Sequence, residues 1–266
     1  MSDGKELIIR SSEQLLQPKT RRGFLKMLAV GGSVIMLPSV FTACNDDNYG
    51  VTGTGSNNTA AQFTLNLSND FGILNYAYAL EQLEAAFYTA ALTSPGYAAL
   101  SGPEQEVISD LQKHEVIHRE FFKAALGTNA IPTITFNSAT VASLMTTRAN
   151  LLSTSQLLED TGVSAYNGAG KYLASATYLL LAGKIVSVEA RHAAAIRDIR
   201  DGNAGVLFAG DDVVDASGFD VKAEPSTVLA SVVSLNVVNT TASPLSIGTQ
   251  PDASKKTTDK TAPTPT

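Results

Sequence analysis

The 266-residue chain has one cysteine, no tryptophan and only three histidines, His114, His118 and His192. A single cysteine excludes any internal disulfide framework. Charged residues are sparse at 17%, and the formal net charge is -6. Such a chain lacks the clustered positive charge that nucleic-acid binding requires, so no nucleic-acid partner is expected. The apolar run at 27–40 is interrupted by Gly31-Gly32 and falls short of the about 20 residues that a membrane-spanning helix needs. Hydrophobic residues nonetheless make up 44%, enough for a sizeable core. The length suits one large domain or two small ones.

The apolar run has a particular context. Thr20-Arg21-Arg22-Gly23-Phe24-Leu25-Lys26 precedes it and resembles the twin-arginine export motif. Phe41-Thr42-Ala43-Cys44 follows it and is similar to a lipoprotein cleavage box, although Phe41 stands where leucine is usual. Residues 1–44 therefore read as an export signal, to be set aside before fold reasoning. Cys44 is the expected lipidation site and the lipid is the one expected membrane contact. The alternatives are a buried helix and an inert thiol. The resemblance implies a protein exported after folding, periplasmic or anchored by lipid. Residues 45–64, rich in Asn, Asp, Gly and Thr, read as a flexible tether.

Four long segments carry three-to-four apolar spacing, at about 68–93, 104–126, 138–167 and 171–201. Ser68-Asn69-Asp70 can cap the first, and Ser101-x-x-Glu104 is a capping box for the second. The connection at 127–137 holds Pro132 and a β-leaning run. Eleven extended residues reach roughly 35–40 Å, and a 25-residue helix is about 38 Å long. This linker can therefore run the full length of a bundle. Residues 206–249 lose the helical pattern and are expected to form an irregular extension packed loosely on the bundle. Residues 250–266, rich in Thr, Lys, Pro and Ser, are expected to be disordered.

Two of the three histidines follow a glutamate by three residues, as Glu115-x-x-His118 and Glu189-x-x-His192. At that spacing both side chains leave one helix face. A carboxylate and an imidazole so placed can bind one metal ion or a bridged pair. With 11 glutamates in the chain, chance places one at that offset from a given histidine about 4% of the time, and twice in three about 0.5%. Surface ion pairing is the competing explanation. Completing a metal site takes a carboxylate from each of the other two helices. The first offers Glu81 and Glu84, and the third offers Glu159.

A repeat runs through these positions. Tyr88 follows Glu81 by seven residues, and Tyr166 follows Glu159 by seven. Each tyrosine is thus expected two turns above its glutamate on the same face. The chain reads as two helical hairpins, each Glu…Tyr…Glu-x-x-His. In an antiparallel hairpin, residues at one level are equidistant from the turn. The midpoint of Glu81 and Glu115 is residue 98, inside the Ser94–Pro103 break. The midpoint of Glu159 and Glu189 is 174, past the expected break at 167–170.

Leu80-Glu81-x-x-Glu84-Ala85-Ala86-Phe87-Tyr88, Leu158-Glu159-Asp160-Thr161-Gly162-Val163-x-Ala165-Tyr166 and Val188-Glu189-Ala190-Arg191-His192-Ala193 resemble the bacterial ferritin-like domain family. That family belongs to the di-iron carboxylate superfamily, and desiccation-related proteins are similar. The likeness covers about 65–205. It implies an all-α, ferritin-like four-helix bundle with a long crossover between helices two and three, followed here by the irregular tail. It implies metal ligands at Glu81, Glu115, His118, Glu159, Glu189 and His192, with Glu115 and Glu189 bridging. Glu84 and His114 are expected beside the ligands or at the rim rather than among them. Tyr88 and Tyr166 are expected to bond ligating carboxylates, with a redox role as the minor alternative. Arg191 either pairs with a nearby carboxylate or lies on the surface. The implied cofactor is two iron ions, with manganese as the alternative, since one imidazole per metal among oxygens suits Fe or Mn better than Zn or Cu. The implied chemistry is ferroxidase-like or a reaction with oxygen or peroxide, so ferrous iron and oxygen or peroxide are the expected small partners. Manganese-dependent peroxide dismutation and a non-enzymatic, stress-associated metal-binding bundle are the alternatives. A homodimer is a further expectation. The long tail and lipid anchor depart from the ferritin cages and count against shell-type iron storage.

Overall fold

The computed structural model describes residues 63–241, 243 and 245–248. The export motif, Cys44, most of the tether and the tail at 250–266 lie outside the described residues. Within them run β1 (Phe63–Leu65), α1 (Asp70–Ala91), α2 (Pro95–Ala98), α3 (Gly102–Leu126), α4 (Ser138–Ser143), α5 (Arg148–Ala169), α6 (Ala176–Arg200), α7 (Pro225–Ser234) and β2 (Leu245–Ile247). The fold is an all-α four-helix bundle of two antiparallel hairpins, α1 with α3 and α5 with α6. Among the described residues no helix is long and apolar enough to cross a membrane.

α1 is the innermost helix. It is apolar on nearly every face and buried along most of its length, as a helix without a polar face must be. The Asn69 side chain caps it by accepting from the Gly72 amide at 3.0 Å. α3 starts on the expected box, with Glu104 accepting from the Ser101 amide at 2.8 Å.

The crossover from α3 to α5 lies extended along α1. Its backbone would be stranded there without partners, and α1 supplies them. Asn75 Oδ1 accepts from the Ile131 amide and Asn75 Nδ2 donates to the Asn129 carbonyl, both at 2.8 Å. Seven residues along α1, Gln82 Oε1 accepts from the Ile134 amide at 2.8 Å. Beyond the short α4, the Met145 carbonyl accepts from the Gly96 amide at 2.9 Å. The crossover thus runs from the start of α1 to past its end.

Three expectations need correction. The third long segment is not one helix: the chain breaks between α4 and α5, where Thr147 caps a new helix by accepting from the Asn150 amide at 3.1 Å. The fourth helix begins at Ala176, not near 171, after a 3-10 turn at Gly170–Tyr172. The Asp70 carboxylate holds that start by accepting from the Ala174 and Ser175 amides at 2.7 and 2.8 Å. The turn therefore contains residue 174, the midpoint of Glu159 and Glu189, and the offset inferred from sequence disappears. The extension at 206–249 is not uniformly irregular. α7 buries Val228, Leu229 and Val232, β2 pairs in parallel with β1, and the Val237 carbonyl accepts from the Asn137 amide at 2.7 Å to hold the crossover. Gly168 permits this docking: a β-carbon there would lie 1.7 Å from the Ala223 carbonyl oxygen.

Candidate metal centre

Each hairpin brings its glutamates and histidine to one level in the bundle interior. Glu81, Glu115, Glu159 and Glu189 are all fully buried, His192 is 4% exposed and the His118 side chain 11%. Two groups form. Glu81, Glu115, Glu189 and His118 make one; Glu159, Glu115, Glu189 and His192 make the other. In each, the donor atoms lie within 4.8 Å of one another. A cation with ligands at ~2.0–2.2 Å keeps them no more than ~4.4 Å apart, so each group has to close by only a few tenths of an ångström.

The two groups mirror each other. His118 Nδ1 faces Glu189 Oε1 at 2.8 Å, and Glu81 Oε2 and Glu115 Oε2 at 3.5 Å each. His192 Nδ1 faces Glu115 Oε1 at 2.9 Å, Glu159 Oε2 at 3.3 Å and Glu189 Oε2 at 3.4 Å. Glu115 and Glu189 therefore give one oxygen to each group. The outer oxygens of the remaining pair are held by tyrosines: Tyr88 donates to Glu159 Oε1 at 2.6 Å, and Tyr166 donates to Glu81 Oε1. The tyrosines bond carboxylates, but each bonds that of the opposite hairpin rather than the glutamate two turns below it.

The inward-facing atoms face one another as ion pairs but make no aligned hydrogen bond. Eight of the eleven unpartnered buried side-chain polar atoms among the described residues are here: Glu81 Oε2, Glu159 Oε2, both oxygens of Glu115 and Glu189, and Nδ1 of both histidines. Buried polar atoms are ordinarily satisfied, and these converge in two groups that could each hold a metal ion. Without cations the charges resolve internally. Burial pushes Glu115 up to about 8 and Glu159 up to about 7. Burial acts on Glu189 too, but the two imidazoles outweigh it and hold that carboxyl at about 2. Burial alone would drive the imidazoles toward neutrality; the carboxylates around them instead hold His118 well above its ordinary value and raise His192 to about 12.

The ferritin-like domain model matches residues 69–201, half of the chain and the whole of the four-helix bundle. The chain belongs to the ferritin-like domain family. No curated protein matches it.

Around the centre of this ferritin-like chain, Glu84 is buried one turn beyond Glu81. Burial first, and then the four neighbouring carboxylates, hold it well above the usual range. His114 is exposed on α3, yet its Nδ1 lies 2.8 Å from His192 Nε2. Arg191 is exposed. A small apolar cleft of about 30 Å³ among α1, α3 and α6, lined by Leu80, Phe121, Phe122 and Ile185, has Tyr166 in its wall.

Sequence reasoning missed Arg197. It is 2% exposed, and its guanidinium donates to Asp160 at 2.8 and 2.7 Å, to Asp212 at 3.1 and 2.6 Å and to the Leu207 carbonyl at 3.2 Å. Next to it lies a cavity of about 200 Å³, roofed by Phe208, Val213 and Val221. Asp160 adjoins Glu159, so this clamp ties the helix carrying one of the site carboxylates to the extension. The only hint in the sequence was an arginine on the apolar face of α6, one turn and a half beyond His192.

Proposed function

We propose that this ferritin-like chain is an exported protein whose buried centre holds two iron ions and reacts with oxygen or peroxide. One observation carries the reading: Glu115 and Glu189 each turn one oxygen toward His118 and the other toward His192. Carboxylates so placed suit two cations side by side. Glu81 and His118 would complete one position, and Glu159 and His192 the other. Two ferrous ions supply two electrons, the number needed to cleave the O–O bond of a peroxide.

The protein's own residues prepare the site. Tyr88 and Tyr166 fix the outer oxygens of Glu159 and Glu81, leaving the inner oxygens free to ligate. Four carboxylates make the empty site costly to bury, which favours cation uptake. All four carboxylates are fully buried in the bundle interior, which keeps bulk water out. The paired arginines before the apolar run support export by the twin-arginine route, with Cys44 as the lipid attachment point, and that route carries folded, loaded proteins.

The test is addition of ferrous iron to metal-free protein in air, or with peroxide, while the oxidant and the ferric absorbance are followed. Consumption of the oxidant at two irons per oxidising equivalent pair, abolished in Glu115→Ala, supports the reading. Metal uptake with no consumption of either oxidant would reduce the protein to a metal-binding bundle.

A further inference from the structure

The two hairpins repeat each other closely enough that their positions can be paired. An offset of 78 relates Glu81 to Glu159 and Tyr88 to Tyr166, and an offset of 74 relates Glu115 to Glu189 and His118 to His192. Every residue facing the cations obeys the repeat. Beside these matched residues, the same offsets single out two polar residues at the centre that have no counterpart. Glu84 pairs with Gly162, and His114 pairs with Val188.

Both lie toward the His192 side of the centre. A β-carbon at Gly162 would lie 3.1 Å from Glu84 Oε1 and 3.9 Å from Glu189 Oε2. Glu84 thus fills the space that its counterpart leaves open, beside the Glu189 oxygen that faces His192. His114 also serves His192 alone. A histidine that ligates through Nδ1 carries its proton on Nε2, and His192 Nε2 has His114 Nδ1 at 2.8 Å to receive it. Such an outer partner orients the ring and raises its basicity. Where a second imidazole would serve His118 in the same way, the chain has Val188. His118 is also the more exposed of the two ligating histidines, at 11% against 4%.

We infer that the two cation positions are unequal: the one at His192 binds first and more tightly, because His114 supports it alone and Glu84 lies beside the Glu189 oxygen that faces it, and the one at His118 is the exchangeable position. This rests on the dinuclear reading above and deepens it. Glu84 adds a carboxyl to the tight position, and His114 is a positioning residue that acts through His192.

Cobalt(II) titration of the metal-free chain, followed by calorimetry and by the visible absorption of the bound ion, tests this. Wild type should take up two ions per chain in steps at least tenfold apart in affinity. Glu84→Gln and His114→Ala should each weaken the first step by about tenfold or more and leave the second unchanged. His114→Ala should also alter the absorption of the first ion bound. Val188→Ala should change neither step. Circular dichroism establishes that each variant is folded, and His114, being exposed, can be replaced without disturbing the core. Two identical steps in wild type, or equal weakening of both steps in the variants, would overturn the inequality while leaving the dinuclear reading standing. Uptake of fewer than two ions overturns the dinuclear reading and this proposal with it.

Discussion

Tyr88 donates a 2.6 Å hydrogen bond to Glu159, a residue 71 positions away on the other hairpin. Tyr166 returns the same bond to Glu81 across 85 positions. Each hairpin therefore orients a site carboxylate of its partner, and the centre is assembled only when the two hairpins dock. Tyr88→Phe removes one of these bonds without creating a large void. Metal affinity should fall about 10–100-fold, measured by calorimetry. Unchanged affinity would show that the crossed bonds are incidental.

Gly162→Ala separates helix propensity from site geometry. In an ordinary helix interior this change stabilises by about 0.8–1 kcal/mol. Here the new β-carbon would lie 3.1 Å from Glu84 Oε1, so the buried carboxyl has to move. The melting temperature of the metal-loaded protein should not rise, and the first cobalt step should weaken. A clear rise in melting temperature with unaltered cobalt binding would count against the placement of Glu84.

Arg197→Met removes the fork between Asp160 and Asp212 while keeping most of the side-chain volume. Loss of one partner from a buried pair costs about 3–5 kcal/mol. Asp212 is 64% exposed and can hydrate, so the lower end, about 3 kcal/mol, is expected. That is a fall of about 6–12 °C in melting temperature for a domain of this size. Cleavage within 206–221 during limited proteolysis should also become faster than in wild type. Proteolysis at wild-type rate would dissociate the clamp from the docking of the extension.

Glu104 gives the fold an acid limit. Its hydrogen bonds to Arg148, opposed in part by burial, hold the carboxyl down at about 2. Because the folded value lies below the ordinary 4.5, the stabilisation is present above about pH 4.5 and is lost as pH falls toward 2. Glu104→Gln should cost about 1 kcal/mol at pH 7, the usual worth of a cap, and flatten the loss between pH 4.5 and 2. Chemical denaturation across that range reads both. A variant with the wild-type acid profile would mean that the Arg148 pair carries no pH-linked stability.

What could be read from sequence followed what is local. Glu115-x-x-His118 and Glu189-x-x-His192 announce themselves because three residues on a helix is one face, and Ser101 with Glu104 is a cap spelled within four residues. The bundle and its long crossover followed from segment lengths. The break between α4 and α5 carries no Gly or Pro; it is set by Thr147 and by the tertiary bond from Gly96 to Met145. α7 was hidden because its Ser, Thr and Val content lacks helix propensity, and burial of Val228 and Val232 against the bundle overrides it. Periodicity put Tyr88 and Tyr166 on the right face but could not tell which hairpin they would reach. Arg197 was invisible because Asp212 comes from a segment with no pattern to place it.

The most direct test of the account is the metal content of the native protein by elemental analysis, with Glu115→Ala alongside and circular dichroism as the folding control. Two ions per wild-type chain are expected, and both should be lost together in the folded variant, since Glu115 faces both positions. A wild-type chain purified without metal that takes none up, or a variant that keeps its full complement, would contradict this.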